Sequence, residues 1–220
     1  MAQRHPHLPV GVPFHENRSL QVATGAYGAF WAAMAMAPVS RETWLLENLL
    51  VFFLVGALVA THRRFVFSNV SYASILAFLV LHAIGSHYTY SAVPAGQWLQ
   101  EALGLGRNHY DRVVHFAFGL LLGYPLREMT LRVTHVHGGW SFVIPVIAIL
   151  ALSSFYEIIE SWAARTVDPD LGLAFVGAQG DLWDGQKDMT LALVGCLFAL
   201  AAGAAHRRRS GHEAYVGPEA

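Results

Sequence analysis

Six apolar stretches separated by polar segments constrain most strongly what this chain can fold into. They cover residues 20–37, 44–61, 70–84, 111–126, 142–162 and 189–205. Several approach the ~20 residues that a helix needs to cross a bilayer, and the third is on the short side. Because backbone groups in lipid must be satisfied within the protein, the sequence predicts an all-α, polytopic transmembrane bundle of about six helices. Five or seven helices remain open alternatives.

The composition supports a lipid environment. Only 13% of the 220 residues are charged and 55% are hydrophobic, whereas a soluble domain carries about 25% charged residues. A net charge of −1 argues against a nucleic-acid partner, because phosphate binding needs a surplus of Lys and Arg. Membrane lipids are the predicted partners. Cys196 is the only cysteine, which excludes an internal disulfide and a metal site built from several cysteines.

The chain is divided into one membrane domain and two tails. The domain covers 19–206, and the segments 1–18 and 207–220 are predicted to be poorly ordered cytoplasmic tails. Between the third and fourth stretches, residues 96–103 have apolar residues at helical spacing. This segment predicts a helix lying in the membrane interface, anchored by Trp98.

The distribution of basic residues predicts the orientation in a bacterial inner membrane. With both termini in the cytoplasm, nine basic residues lie on the cytoplasmic side and five on the outer side, as the positive-inside rule requires. The outer five are Arg41, Arg107, Arg112, Arg165 and Lys187. Acidic residues do not set orientation, yet eleven of the fifteen fall on the outer side. These are Glu42, Glu47, Glu101, Asp111, Glu157, Glu160, Asp168, Asp170, Asp181, Asp184 and Asp188.

Some of these acids are spaced to share a helix face. Asp111 and His115 are four residues apart, and Glu157 and Glu160 are three apart. The candidate metal ligands are Asp111, His115, Glu157, Glu160, Asp184 and Asp188. The candidate acid–base residues are His115, Glu157 and Asp111, and the secondary candidates are His87, His109, Asp181, Lys187, Arg112 and Arg165.

The predicted depth of His115 and Glu157 separates them from the other candidates. His115 lies a full turn inside its stretch and Glu157 lies below the membrane interface, where an unpaired polar group is costly. Carboxylates with one or two imidazoles suit Zn²⁺, Mn²⁺ or Fe²⁺, so a divalent metal is the cofactor that this pattern allows. A structural Asp–His–Glu network that joins three helices is the alternative. Several aspartates also fit ordinary helix-cap and loop positions.

Long motifs of the chain resemble the YjdF family of bacterial inner-membrane proteins. The motifs are Gly85-Ser-His-Tyr-Thr-Tyr90, Arg107-Asn-His-Tyr-Asp-Arg-Val-Val-His-Phe116, Tyr124-Pro-Leu-Arg-Glu128, Phe155-Tyr-Glu-Ile-Ile-Glu160 and Gln179-Gly-Asp-Leu-Trp-Asp-Gly-Gln-Lys-Asp-Met189. The resemblance implies a membrane topology and no particular reaction. A weaker similarity links Asp111-Arg-Val-Val-His-Phe116, Glu157, Arg165 and Asp184 to VanZ-like membrane proteins. Glu160 and Asp188 depart from that pattern, which has Gln and Asn there.

Three functions are compatible with these observations. The first is a membrane protein whose outer acidic and histidine site binds a divalent metal or an envelope lipid head group. The second is a small proton- or ion-coupled transporter, for which the apolar midplane is unfavourable. The third is a non-catalytic membrane scaffold, indicated by the small residues Gly119 and Gly123 on one helix face.

Overall fold

The computed structural model describes residues 11–166, 172 and 178–210. Within these ranges the chain forms helices and no strand, which confirms the all-α bundle of about six helices. The α-helices are α1 (Arg18–Ala35), α2 (Arg41–Thr61), α3 (Asn69–His87), α4 (Pro94–Leu103), α5 (Tyr110–Met129), α6 (Trp140–Thr166) and α7 (Asp184–Ser210). A π-helical turn, Thr130–Thr134, continues α5. The outer parts of both predicted tails, with Asp168 and Asp170, lie outside the described residues.

Side-chain caps mark where the first three helices begin. Asn17 Oδ1 accepts the backbone N–H of Leu20 at 3.1 Å. Ser40 Oγ accepts that of Thr43 at 3.2 Å, and Ser68 Oγ caps α3 in the same way. Each cap satisfies one of the backbone donors that a helix start leaves without an intrahelical partner.

The helices extend beyond the apolar stretches that predict them. α7 begins at Asp184 rather than at residue 189, and α6 continues to Thr166 rather than ending at residue 162. Hydropathy detects only the part of a helix in contact with lipid, and polar end turns keep helical geometry once they pack against neighbours. The extension places Asp184 and Asp188 on the first turns of a helix, facing α5 and α6.

The centre of the bundle is the contact between α5 and α7, the most extensive helix pair in the structure. A Cβ added at Gly119 would lie 1.8 Å from the Ala192 carbonyl oxygen, and one at Gly195 would lie 2.1 Å from that of Phe116. Only glycine allows the two backbones to approach this closely. The Gly119 face is therefore occupied within the chain, and it no longer supports a scaffold that binds a partner.

The remaining helices surround this pair. α6 packs on α5 and α7, and α3 packs on α5, while α1 and α2 pack on α3. Within the described part of the chain, four helices (α2, α3, α6 and α7) are long and apolar enough to cross a membrane by length and composition. Their outward faces carry large apolar side chains, such as Phe53 (75% exposed) and Val59 (71% exposed). Such a surface is suited to lipid and is rare on a soluble monomer.

The short helix α4 follows the pattern predicted for residues 96–103. Pro94 lies at its first turn, and Gly104 ends it in the left-handed conformation with φ +62°. Trp98 is exposed, as an interfacial anchor would be. The location of α4 in the membrane interface remains a prediction.

Candidate metal centre

Five helix ends meet at one end of the bundle, which we call the acidic end. It contains the first turns of α2, α5 and α7 and the last turns of α3 and α6. The acidic and basic side chains there form three groups at different positions. The groups are a cluster around His115, a network around Arg107 and Arg112, and a hydrogen-bonded line around Tyr156.

The first group, the His115 cluster, consists of Asp111, His115, Glu157 and Asp188. One ligand atom each from Asp111, His115 and Asp188 lies within 4.8 Å of the other two. His115 Nε2 lies 3.6 Å from Asp111 Oδ1 and 3.6 Å from Glu157 Oε1. These distances are longer than hydrogen bonds. Three potential ligands from α5 and α7 therefore share one space, and Glu157 from α6 borders that space next to His115.

Two carboxylate oxygens of the His115 cluster are buried without a hydrogen-bond partner. They are Asp188 Oδ1 and Glu157 Oε1, and the Asp188 residue is only 2% exposed. An unsatisfied buried carboxylate oxygen is costly, because it loses water and gains nothing in exchange. Gly185 brings α7 against the same carboxylate, since a Cβ there would lie 2.5 Å from Glu157 Oε2. The packing holds the Glu157 side chain in this environment.

The second group, the arginine–aspartate network, lies beside the cluster. Arg107 holds both carboxylate oxygens of Asp184, and it also donates to the Ala178 carbonyl at 3.1 Å. Arg112 pairs with Asp181 and, at 3.2 Å, with Asp184. Paired arginine forks of this kind fix geometry as well as neutralising charge. Asp184, a predicted metal ligand, is thus bound to two guanidinium groups.

Asp181 and its neighbours complete this network at the surface. Lys187 Nζ lies 2.6 Å from Asp181 Oδ2. The hydrogen bond from Lys187, with those from the Trp183 N–H and Arg112, holds the pKa of Asp181 well below its usual range. Partial burial and the charges of Arg112 and Arg107 lower the pKa of His109. At this end, Arg107 and Arg112 face both Asp181 and Asp184, and Lys187 pairs with Asp181.

The third group, the Tyr156 line, lies beside the His115 cluster, because the Tyr156 ring packs edge-on against the His115 ring. The Tyr156 hydroxyl donates to Glu47 Oε2 at 2.7 Å, and the buried Glu160 interacts with the same tyrosine. Behind Glu47, the His82 ring contacts the Glu47 carbonyl through Nε2 and the Tyr90 hydroxyl through Nδ1, at 3.2 and 2.6 Å. The Tyr156 line thus joins α6, α2 and α3 through hydrogen bonds, and Glu160 is buried on α6 one turn from Tyr156.

Two secondary candidates lie at the acidic end but outside the three groups. His87 Nδ1 is 2.7 Å from the Met34 carbonyl oxygen and contacts the end of α1. Arg165 is exposed on the last turn of α6. Sequence reasoning passed over Arg107 and Glu47 as site residues. Glu47 could have been found, because a carboxylate inside an apolar stretch indicates a functional or paired group.

The opposite end of the bundle holds one buried carboxylate, Glu128, which is 1% exposed. It accepts hydrogen bonds from the Ser68 N–H at 2.8 Å, from the Ser68 hydroxyl at 2.7 Å and from the Ser71 hydroxyl. Arg132 Nη1 adds a fourth contact at 2.6 Å. We call these four residues the Glu128 network. Every donor in it comes from the protein.

Fold and site together define a multi-span helical membrane protein with a polar cluster at one end of its bundle. The chain belongs to the DUF2238 family of predicted membrane proteins, whose family model matches residues 19–209. It is 41% identical over 159 residues to the inner membrane protein YjdF of Escherichia coli (strain K12), covering 71% of this chain and 75% of that protein. These matches confirm the YjdF-family resemblance. The VanZ-like similarity rests on the motif residues alone. No solved structure matches the chain.

Proposed function

We propose that this protein binds a divalent metal ion at the outer face of the bacterial inner membrane through the His115 cluster. The observation that carries this proposal is the pair of buried oxygens, Asp188 Oδ1 and Glu157 Oε1, that lack a hydrogen-bond partner beside a histidine. A divalent cation would supply the missing positive charge and coordinate both oxygens. Asp111 and His115 would complete a set of four ligands.

The chemistry of the four side chains limits the choice of metal. One imidazole with three carboxylates suits Zn²⁺, Mn²⁺ or Fe²⁺ better than Ca²⁺, which prefers oxygen ligands alone. Asp184 is less suited to this set because both of its oxygens already contact Arg107. Glu160 is less suited because no described ion pair joins it to His115, whereas Glu157 Oε1 lies 3.6 Å from the histidine. The proposed ligands are therefore Asp111, His115, Glu157 and Asp188.

Metal analysis of the detergent-purified chain tests the proposal. We expect about one equivalent of Zn²⁺, Mn²⁺ or Fe²⁺ per chain, and loss of that metal in His115→Ala. His109→Ala is the matched control, because His109 Nδ1 faces Arg112 at 3.4 Å and not the cluster. Substoichiometric metal in the native chain, or equal metal in both variants, would rule the proposal out.

The predicted orientation is part of this proposal, with both termini in the cytoplasm and the acidic end outside. It is supported by the arginine distribution and by the name of the Escherichia coli relative, an inner membrane protein. Because Cys196 is the only cysteine and is fully buried, a maleimide should label only the cysteine that is added. In spheroplasts, an impermeant maleimide should label Leu182→Cys at once and Val133→Cys only after lysis. The reverse pattern would invert the topology.

The transporter alternative has less support. It requires titratable groups between the two ends, and residues 116–126 of α5 and 189–205 of α7 contain no Asp, Glu, Lys, Arg or His. The Tyr156 line of buried polar groups stays at the acidic end. We therefore favour a binding or catalytic site that acts at one membrane face.

A further inference from the structure

An apolar groove of about 210 Å³ opens between α2, α3, α5 and α6. Its walls include Val51, Leu79, Val114, Phe118 and Leu122. Its outer lip is formed by Phe53, Leu152 and Phe155, which are all exposed on the lipid-facing surface. The groove is thus accessible from the bilayer side of the bundle.

One end of the groove is polar and is shared with the proposed metal site. Asp111, His115 and Tyr156 line this end. The hydrogen bond from Tyr156 to Glu47 joins α6 to α2 there. A molecule that lies in the groove with a polar end at Asp111 and His115 would reach the His115 cluster directly.

The dimensions of the groove match one hydrocarbon chain. From Asp111 to Leu122 along α5 its walls extend about 16 Å at the helical rise per residue. One leaflet contributes about 15 Å to the hydrocarbon core of a bilayer. The volume is below the roughly 300–1,000 Å³ of pockets that take a whole drug-sized molecule. A transmembrane helix, about 10 Å wide, would not fit.

We propose that the groove holds one hydrocarbon chain of a phosphate-bearing membrane lipid, whose phosphate binds the metal at the His115 cluster. This inference rests on the proposed function, because the metal is what gives an acidic site affinity for an anionic head group. The lipid enters from the outer leaflet between α2 and α6. The protein is then a receptor or enzyme for a lipid phosphate, with the substrate chain held in the membrane.

Photolabelling of the full chain in vesicles of phosphatidylethanolamine and phosphatidylglycerol tests this proposal. The probes are phosphatidic acid with a diazirine midway along one chain and the matching diacylglycerol without phosphate. We expect phosphatidic acid to label groove residues on α3 and α5. EDTA should reduce that labelling about fivefold or more, the effect of losing one charge-assisted contact. It should not change labelling by diacylglycerol.

Variants of two adjacent valines provide the matched control. Val114 is 4% exposed and lines the groove, whereas Val113 is 50% exposed on the same helix. Val114→Trp should abolish groove labelling, and Val113→Trp should leave it unchanged. Ser153→Leu, on the opposite wall, fills the groove with less strain in case Val114→Trp fails to fold. The thermal midpoint of each variant in detergent reports folding.

The outcomes separate this inference from the proposed function. Labelling that is spread over all lipid-facing helices, or that persists in both groove variants, overturns the inference even when metal is bound. Absence of groove labels, when the lipid-facing outer surfaces are labelled, also overturns it. Groove labelling in a chain that carries no metal overturns the proposed function and the phosphate contact together.

Discussion

The two ends of the bundle solve the problem of a buried carboxylate in different ways. At one end, Glu128 accepts hydrogen bonds from Ser68, Ser71 and Arg132, so its charge is fully satisfied. At the other, Asp188 and Glu157 keep oxygens without partners although three cations lie close by. Burial alone therefore does not indicate function in this protein. The useful distinction is between a carboxylate whose oxygens are hydrogen-bonded within the protein and one that keeps an oxygen free to bind a ligand.

Replacing Glu128 should have the largest effect on stability. Glu128→Ala would leave Arg132 and the Ser68 donors buried without their acceptor, and breaking a buried pair in this way costs about 3–5 kcal/mol. An unfolding titration in detergent micelles measures the loss. Glu42→Ala, an exposed carboxylate on the first turn of α2, is the control and should change little. If the two variants lost equal amounts of unfolding free energy, Glu128 would not be a structural carboxylate and the two ends of the bundle would not differ in this way.

Arg107→Ala tests whether the arginine–aspartate network stabilises the fold as the Glu128 network does. The variant removes both contacts with Asp184 and the bond to the Ala178 carbonyl. We expect a loss of about 3 kcal/mol in the same titration. Arg165→Ala, at an exposed arginine, should cost less than about 0.5 kcal/mol. A small effect of Arg107→Ala would mean that Asp184 is available after all.

Asp188→Asn should behave in the opposite way from Glu128→Ala. In EDTA the variant replaces a carboxylate whose buried Oδ1 has no hydrogen-bond partner, so stability should stay constant or rise by up to about 1 kcal/mol. With metal at 100 times its dissociation constant, the native chain should gain about 2.7 kcal/mol and the variant much less. A destabilised variant in EDTA would show that Asp188 is structural.

Lys187→Ala should have the smallest effect on stability, because the lysine side chain is 49% exposed. Its visible result is a rise in the pKa of Asp181, since Lys187 is the main cause of the lowered value. A lowered folded-state pKa means that the contribution of Asp181 is complete above its unfolded pKa of about 3.9. It is lost as the pH falls through the folded pKa. Acid titration followed by NMR should show Asp181 becoming protonated at higher pH in Lys187→Ala than in the native chain.

The sequence predicts the helices well, because apolar length is a strong signal. It also predicts that Asp111 and His115 share a face, because helical spacing alone determines that. It does not predict how the acids are divided between groups. Asp184 and Asp188 are one turn apart and look equivalent, yet one contacts Arg107 and the other faces His115. That division depends on how α7 is rotated against α5.

The burial of Glu47 and Glu128 is also not predictable from local sequence. Glu47 lies near the start of the stretch 44–61, and Glu128 lies just after the stretch 111–126. The structure buries both, because Tyr156 reaches Glu47 from α6 and the serines of α3 reach Glu128 from a helix 57 or more residues away in sequence. Such partners are distant along the chain, and no local pattern identifies them.

The glycine contact between α5 and α7 fixes the spacing of three proposed metal ligands before metal binds. The Ala192 carbonyl packs against Gly119 and the Phe116 carbonyl packs against Gly195. The two helices therefore cannot slide past each other without a clash. Asp111, His115 and Asp188 are carried by this one rigid pair, so their spacing is set before any ion arrives. Glu157 comes from α6, which is not part of this glycine contact. A displacement of α6 relative to α5 and α7 would therefore add or remove one proposed metal ligand, Glu157, and leave the other three in place.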